Sequence, residues 1–177
     1  MARHGETTHN AEGRFQGQGD APLNDRGREQ ARELSELARA EPLAALYASP
    51  LARARETAEI VSAAIGLEPR WDVRFAETNC GDWQDRSFAD VERDEPELFH
   101  RWESHPGEDW RFPGGESLLE QQERVVAGLV DVTQRGDLPA LVVCHRGVIR
   151  VALCHTDNRG LDAFAGIDVP NASLVRL

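Results

Sequence analysis

Lysine is absent from this sequence, and all 20 basic residues are arginines. Schiff-base chemistry on a lysine and the lysine of a nucleotide-binding P-loop are therefore excluded. The formal net charge is −11, and no block of basic residues occurs anywhere along the chain. Nucleic acid is consequently not an expected partner, because its recognition depends on clustered positive charge.

Cysteine and long apolar runs are also scarce. The three cysteines, Cys80, Cys144 and Cys154, are few and odd in number, which favours a reducing cytosol over a disulfide scaffold. No apolar run approaches the roughly 20 residues that span a bilayer, and the N-terminus has no signal-peptide pattern. No recognised spacing of zinc ligands occurs. The sequence thus predicts a cytoplasmic protein with no membrane contact, no metal and no other cofactor.

The remaining composition predicts one globular domain over residues 1–177. Apolar spacing and capping residues predict four helices. The first covers 25–40 with Asn24 as its cap, and the second runs from Pro50 to Gly66 with Ser49 as its cap. The other two are predicted at 117–134 and at 147–155. Apolar or alternating runs predict strands at 43–48, 71–75, 139–144 and 173–177. Alternation of strands and helices is typical of an α/β fold, here a three-layer α/β/α sandwich with a mostly parallel central sheet.

The periodicity breaks down between Glu77 and Gly115. This segment carries six of the eleven aromatic residues, among many acidic ones: Trp83, Phe88, Phe99, Trp102, Trp110 and Phe112. Two short helices are predicted within it, at 87–93 and 95–103. An irregular, aromatic-rich segment of this length is more often a lid or binding loop than a connection. We therefore predict a lid or specificity insertion at about 78–115.

Four polar residues fall where predicted strands end. His4 lies in the first loop, Arg53 begins the helix after strand 43–48, Glu77 follows strand 71–75 and His145 follows strand 139–144. Ligand sites in open α/β sheets lie at the carboxyl ends of the strands. Each residue alone has a simpler interpretation, such as a solvated histidine or a surface ion pair. Together, next to Arg3 and Gly5, they indicate a phosphate site with a built-in nucleophile.

Six motifs carry a family resemblance and occur in order along the chain: Arg3-His4-Gly5-Glu6-Thr7 with Asn10; Arg14-Phe15-Gln16-Gly17; Ser49-Pro50-Leu51 with Arg53-Ala54; Glu77 with Gly81 and Trp83; Gly114-Gly115-Glu116-Ser117; and Val142-Val143-Cys144-His145 with Gly147-Val148-Ile149-Arg150. Together they resemble the histidine phosphatase superfamily, which includes the cofactor-dependent phosphoglycerate mutases. The resemblance runs essentially from end to end and is closer to the compact phosphatase branch of this phosphoglycerate mutase-like family.

The resemblance implies a role for each matching residue. His4 is expected to be the nucleophile that forms a phosphohistidine, and Glu77 the proton donor. Phosphoryl oxygens are expected to be held by Arg3, Arg53 and His145, with a hydrogen bond from Asn10. Gln16 and Gly17 are expected to contribute to substrate binding, and no metal is required because the arginines supply the positive charge. Acids near Glu77 in the sequence leave alternatives for the proton donor: Glu6, Asp82 and Glu116.

Two departures from the family pattern generate further expectations. Only Met1 and Ala2 precede Arg3, which is too short for a buried first strand. We therefore expect this strand to be truncated and the native chain to begin upstream; the C-terminus is short in the same way. Arg146 stands where a second glycine is common, and we expect its side chain to face solvent rather than the pocket.

Three functions are compatible with these residues. Mutases of the family carry a lysine for the substrate carboxylate, and this chain has none. The acidic lid would also repel a small acidic substrate. We therefore predict a metal-independent phosphomonoesterase acting on a small-molecule phosphate ester with an apolar or neutral body, such as a nucleoside or sugar derivative. The alternatives are a phosphoglycerate mutase-type phosphotransferase and a catalytically silent module that binds phosphorylated ligands. A homodimer is possible.

Overall fold

The computed structural model describes all 177 residues, and its elements alternate between strands and helices. The strands are β1 (Ala2–Arg3), β2 (Ala45–Ala48), β3 (Pro69–Trp71) and β4 (Ala140–Cys144). The α-helices are α1 (Thr8–Ala11), α2 (Asp25–Arg39), α3 (Ala52–Ile65), α4 (Phe88–Asp94), α5 (Pro96–Ser104), α6 (Leu118–Gln134) and α7 (Arg146–Thr156). Short 3-10 helical turns cover Val73–Phe75, Gly81–Trp83 and Leu161–Gly166. None of the helices combines the length and the apolar character needed to cross a membrane.

The sheet is entirely parallel, with strand order β1-β4-β2-β3. Strand β4 lies in the middle, pairing Val143 with Ala2 on one side and with Ala48 on the other. Its sequence is continuously apolar because both faces of a central parallel strand are covered by helices. The predicted α/β class with a parallel central sheet is confirmed.

Two separate apolar clusters define the layers. Alternate residues of β2 and β4 point to opposite faces of the sheet, as the two-residue period of a strand requires. Leu46, Ala48, Leu141 and Val143 belong to one cluster, which contains the apolar residues of α2 and α3. Ala45, Tyr47, Val142 and Cys144 belong to the other, which contains those of α6 and α7. The helices therefore form one layer on each face, as predicted.

The chain before the first loop forms a very short first strand. Ala2 and Arg3 do form a strand, paired in register with Val143 and Cys144 of β4. Strand β4 lies along one edge of this short strand, and the C-terminal segment lies along the other. There, Val175 donates its N–H to Met1 O at 2.8 Å. The strand predicted at 173–177 is reduced to one antiparallel bridge, between Ala2 and Leu174.

Two local predictions were wrong. The run 71–75 is not a strand: β3 ends at Trp71, and the Asp72 side chain accepts from Arg74 N to open a 3-10 turn. Val73 within this turn is 71% exposed. Helix α3 begins at Ala52, after an N-cap residue without a side-chain bond, and not at Pro50. Ser49 does not cap this helix because its hydroxyl is bonded to His145 instead, at 2.7 Å.

The segment 78–115 contains α4 and α5 close to their predicted positions, and its aromatic rings pack together. Phe15 is at the centre of this cluster, with ring centroids 4.6 Å from Phe88, 4.8 Å from Trp102 and 5.0 Å from Trp83. The buried rings anchor the segment to the α6 and α7 face of the sheet, because they belong to the same apolar cluster.

Candidate active site

A cavity of about 300 Å³ opens at the carboxyl ends of the strands and is lined by 20 residues. Six of the predicted site residues lie on its wall: Arg3, His4, Asn10, Gln16, Arg53 and Glu77. His145 lies just behind it, with its ring centroid 5.2 Å from that of His4. Gly17 also lines no part of the cavity. Their places at the carboxyl ends of the strands therefore bring together residues that are up to 142 positions apart in the chain.

The His4 ring is held in one tautomer. It is 2% exposed, and its Nδ1 lies 2.6 Å from the carbonyl oxygen of Gly5. A carbonyl only accepts, so Nδ1 carries the proton and Nε2 carries the lone pair. Arg53 donates its Nε–H to this Nε2 at 3.2 Å. The unprotonated nitrogen of His4 thus lies beside a guanidinium group on the cavity wall.

Burial and positive neighbours keep His4 neutral. Desolvation is the main cause, followed by Arg53 and Arg3, and together they hold its pKa well below the usual 6.5. A buried imidazole next to two guanidinium groups resists protonation because a third positive charge would be unscreened there. The lone pair on Nε2 is therefore present at neutral pH.

The guanidinium of Arg53 is fixed by backbone carbonyls. Arg53 donates from Nη1 to Gly19 O and from Nη2 to Gly17 O, both at 2.8 Å. Gly17 has φ of +48°, a conformation that glycine adopts readily. Its role is to turn its carbonyl onto Arg53, so Gly17 positions a site residue and does not contact the cavity.

Arg3 approaches from the end of β1. Its Nη1 donates to Val169 O at 2.7 Å, and its buried Nε has no partner in the protein. Burial lowers its pKa to about 10, with Arg146 the next cause. The group remains charged at neutral pH, and an unpaired buried donor is a favourable contact for an anionic oxygen.

Behind His4, the ring of His145 is completely buried. Its Nε2 lies 2.7 Å from Ser49 Oγ, which also accepts from Leu51 N at 3.3 Å. In the tautomer in which Ser49 donates its hydroxyl proton to Nε2, the imidazole proton lies on Nδ1. Nδ1 has no protein partner. Burial, then Arg53 and His4, hold the pKa of His145 well below 6.5, so its imidazole is neutral.

The Glu77 carboxylate is held by the first turn of α7. Gly147 N donates to its Oε2 at 3.2 Å, and Thr78 N donates to its Oε1 at 2.9 Å. Gln121, which is fully buried, adds a bond from Nε2 to Oε1 at 3.3 Å. Arg124 fixes the backbone of the same loop by donating to Ala76 O at 2.7 Å and to the carbonyl oxygen of Glu77 at 3.2 Å. The carboxylate is oriented before any substrate arrives.

The alternative acids are less suitable. Asp82 and Glu116 lie outside the cavity wall, and Glu116 is paired with Arg124 at 2.6 Å. Glu6 does line the cavity, but its Oε1 accepts from Asn24 Nδ2 at 2.9 Å, at the start of α2. Glu77 is therefore the cavity carboxylate whose bonds all come from its own loop and from helices α6 and α7.

The side-chain amides of Asn10 and Gln16 present their nitrogens to the cavity. Thr7 donates its backbone N–H to Asn10 Oδ1 at 3.2 Å and its hydroxyl to Gln16 Oε1 at 2.8 Å. Asn171 also donates to Asn10 Oδ1, at 3.2 Å, and to the carbonyl oxygen of His4 at 3.1 Å. Because both amide oxygens are occupied by the protein, their NH₂ groups are the ones left to donate to a ligand.

The outer part of the cavity is cationic and aromatic, not acidic. The lid contributes Phe88, Trp102 and Phe112 to the wall but no carboxylate. Several of its acids pair with arginines outside the cavity wall; Arg86, for example, binds Glu95 at 2.6 Å. Our expectation that an acidic lid would repel an acidic substrate was therefore wrong. Composition counts the acids of a segment but does not show which way they point.

Arg146 also corrects a prediction, because its half-buried side chain lines the cavity instead of facing only solvent. Five arginines line this cavity, namely Arg3, Arg14, Arg53, Arg146 and Arg150, against two glutamates, Glu6 and Glu77. The formal surplus is three positive charges in a chain of net charge −11. No three histidine, cysteine or acidic side chains are grouped so as to hold a metal ion.

A family model described as the histidine phosphatase superfamily (branch 1) matches residues 1–177. The chain belongs to this superfamily. Its members among known proteins include a "Probable phosphoglycerate mutase GpmB" of Enterobacter sp. (strain 638), which is 40% identical over 144 residues, covering 80% of this chain and 66% of that protein. The chain thus spans just under two thirds of the length of the curated relatives it matches.

Solved structures of the superfamily are similar over nearly the whole chain. A mycobacterial glucosyl-3-phosphoglycerate phosphatase in complex with VO3 has a TM-score of 0.90 and 29% identity, covering 98% of this chain and 87% of that one. An alpha-ribazole phosphatase from Shigella flexneri has a TM-score of 0.83 and 25% identity, covering 96% and 84%. Both named neighbours are phosphatases, whereas the sequence relative is named as a mutase.

Sequence reasoning missed the residues that support the superfamily site. Ser49 and Gln121 are polar side chains with 0% exposure, bonded to His145 and Glu77. Asn171 reaches the His4 loop from 167 positions away. Two signals were available: the serine of the Ser-Pro-Leu motif, and a glutamine on the apolar face of a predicted helix. Neither signal indicates which distant residue the side chain contacts.

Proposed function

We propose that this protein hydrolyses phosphomonoesters of small molecules through a phosphohistidine on His4. The observation that carries the proposal is a neutral histidine whose lone pair faces a cavity lined by arginines, with an oriented carboxylate on the same wall. These are the groups that two successive phosphoryl transfers require, namely a nucleophile, positive charge and a proton donor. Membership of a superfamily of phosphatases and mutases supports this chemistry.

In the first transfer, the lone pair of His4 Nε2 forms a bond to phosphorus while the bond from phosphorus to the ester oxygen breaks. Glu77 gives its proton to that oxygen, and the alcohol leaves. The imidazole gains positive charge as it is phosphorylated. The bond from Nδ1–H to Gly5 O, 2.6 Å long, strengthens with that charge and stabilises the intermediate.

In the second transfer, the Glu77 carboxylate takes a proton from a water molecule whose oxygen bonds to phosphorus. The nitrogen–phosphorus bond breaks, its electron pair returns to His4 Nε2, and inorganic phosphate leaves. Arg3, Arg53 and the Nδ1–H of His145 hold the three peripheral oxygens in both transfers, with the Asn10 amide as a further donor. This fixed set of donors neutralises the charge of the transition state without a metal ion.

The test is hydrolysis of p-nitrophenyl phosphate in the presence of a metal chelator. We expect wild-type turnover, loss of at least about a thousandfold in His4→Ala, and a phosphoenzyme that is labile to acid and stable to alkali. His155→Ala is the matched control, because His155 is exposed on α7. A wild-type protein that hydrolyses no phosphomonoester in a broad panel contradicts the proposal. So does a His4→Ala variant that retains activity.

A mutase is the second candidate, and the cationic outer cavity favours it because a phosphorylated acid is accommodated there. It differs in the acceptor, since a substrate hydroxyl replaces water in the second transfer. Conversion of 3-phosphoglycerate with and without 2,3-bisphosphoglycerate distinguishes the two reactions. A catalytically silent binding module is the third candidate function. The presence of both His4 and Glu77 argues against it. Turnover that is abolished by His4→Ala would exclude it.

A further inference from the structure

The cavity contains more positive charge than one phosphate ester needs. Arg3 and Arg53 flank His4, and Arg14 is already paired with Glu12 at 2.7 Å. Arg150 donates from Nε to Ile167 O at 2.7 Å and lies over the Phe164 ring at 5.3 Å. Arg146 is different. No carboxylate lies within 4.0 Å of its side chain, and its guanidinium bonds to no protein acceptor.

The position of Arg146 is unfavourable without a ligand. It is the first residue of α7, where the helix dipole favours a negative charge. Arg150 follows four residues later on the same face, and like charges at this spacing destabilise a helix. Both side chains also lower the pKa of Arg3, after the effect of burial. Three arginines are thus brought together on one wall and none of them forms an ion pair within 4.0 Å, although the chain carries 31 acidic residues.

We propose that Arg146 binds a second anionic group of the substrate, separate from the phosphoryl group that is transferred. This inference rests on the proposed function and specifies its substrate class: a phosphate ester whose body carries a carboxylate or a second phosphoryl group. The guanidinium fork matches both kinds of oxyanion. The aromatic wall formed by Phe15, Phe88, Trp102 and Phe112 packs against the carbon skeleton between the two charges. A neutral body would leave the Arg146 charge uncompensated.

Matched substrates isolate the second charge. 3-Phosphoglycerate and glycerol 3-phosphate are three-carbon phosphate esters that differ in a carboxylate against a hydroxymethyl group. Fructose 1,6-bisphosphate and fructose 6-phosphate differ in a second phosphoryl group. We expect the wild type to favour the more anionic member of at least one pair in kcat/KM. Preference in the first pair identifies a carboxylate ligand, and preference in the second alone identifies a phosphoryl ligand.

Variants then assign the preference to Arg146. Arg146→Gln is expected to reduce the ratio of kcat/KM within the preferred pair by about tenfold or more, chiefly through KM, and Arg146→Glu to reduce it further. The matched control is Arg32→Gln, because Arg32 is an exposed arginine of α2 that also forms no ion pair. Arg146→Gln is expected to unfold at a slightly higher temperature than the wild type, since it relieves repulsion, and this confirms that the variant is folded.

Binding to the His4→Ala background repeats the comparison without turnover. Calorimetric titration with each member of the pairs is expected to show the same ratio of affinities, and the same loss in His4→Ala/Arg146→Gln. If the wild type hydrolyses p-nitrophenyl phosphate but neither pair shows a preference, or if the preference survives Arg146→Gln, the Arg146 subsite is wrong and the phosphatase stands. If nothing is hydrolysed, the phosphatase is wrong, and the binding ratio alone decides the subsite.

Discussion

Replacing Gly147 by alanine displaces the proposed proton donor, Glu77, and leaves the Glu77 side chain itself chemically unchanged. Gly147 is the second residue of α7, and its N–H donates to Glu77 Oε2 at 3.2 Å. A Cβ added there lies 2.4 Å from Glu77 Oε1 and 2.9 Å from Thr78 Oγ1. Ordinary contact begins at 3.4 Å, so the carboxylate has to withdraw by about 1 Å. A misplacement of about 1 Å can reduce the rate of an enzyme about 100-fold.

The expected loss depends on the leaving group. A p-nitrophenolate leaves readily without a proton, whereas an alkoxide needs one from the general acid. We therefore expect Gly147→Ala to reduce kcat about 100-fold for an alkyl phosphate that the wild type hydrolyses, and by less than about tenfold for p-nitrophenyl phosphate. Glu77→Gln should show the same pattern, with a larger loss for the alkyl ester. Steady-state release of inorganic phosphate measures both.

A second glycine provides the control. Gly166 is exposed in the last 3-10 turn, and nothing lies within 4 Å of a Cβ added to it. Gly166→Ala should match the wild type on both esters. If Gly147→Ala keeps the wild-type kcat on the alkyl ester, or loses activity equally on both esters, then Glu77 is not a proton donor positioned by Gly147.

Three further predictions concern stability. The pKa values of His4 and His145 are held below 6.5 in the folded protein. As pH falls, the unfolded chain therefore binds protons at these two histidines before the folded protein does. The free energy of unfolding consequently decreases below pH 6.5, by up to about 2.7 kcal/mol per pH unit for the two histidines together. Urea unfolding at pH 7.5 and 5.5 measures this, and equal stability at both values contradicts it. Ser49→Ala removes the hydrogen-bond partner of His145 Nε2 and should lower the free energy of unfolding by about 1–3 kcal/mol in the same assay. An unchanged free energy of unfolding would mean that Nε2 finds another partner. Gly27→Ala places a Cβ 2.0 Å from Glu6 O and should lower the melting temperature by several degrees or more, since about 1 kcal/mol shifts it by 2–8 °C; an unchanged melting temperature would refute this close approach of α2 to the His4 loop.

The sequence predicts those parts of the site that depend on local order. Residues after parallel strands share one edge of the sheet, so finding His4, Arg53 and His145 at such positions is enough to place them together. Asn24 is likewise read correctly as the cap of α2, because its side chain and Gly27 N are only three residues apart. Such signals are contained within a few residues and need no knowledge of the tertiary structure.

Long-range bonds are what the sequence does not reveal. Ser49 follows a strand and precedes a proline, which is typical of a helix cap, yet its hydroxyl binds a histidine 96 positions away. A buried imidazole nitrogen without a partner is more costly than an uncapped helix, so the tertiary bond prevails over the local one. The same reason applies to Gln121, whose position on the apolar face of α6 is explained only by Glu77 and Thr78.

The absence of lysine and the positive cavity are physically connected. Each inner arginine is fixed by carbonyl oxygens and not by carboxylates: Arg3 by Val169, and Arg53 by Gly17 and Gly19. A carbonyl orients the guanidinium without cancelling its charge, which stays available to a phosphoryl group and keeps His4 neutral. Burial lowers the pKa of Arg3 only to about 10, whereas a lysine starts lower and loses its proton readily when buried. Arginine is therefore the side chain that can be enclosed beside the nucleophile and remain charged, and this explains how a chain of net charge −11 maintains a cationic site.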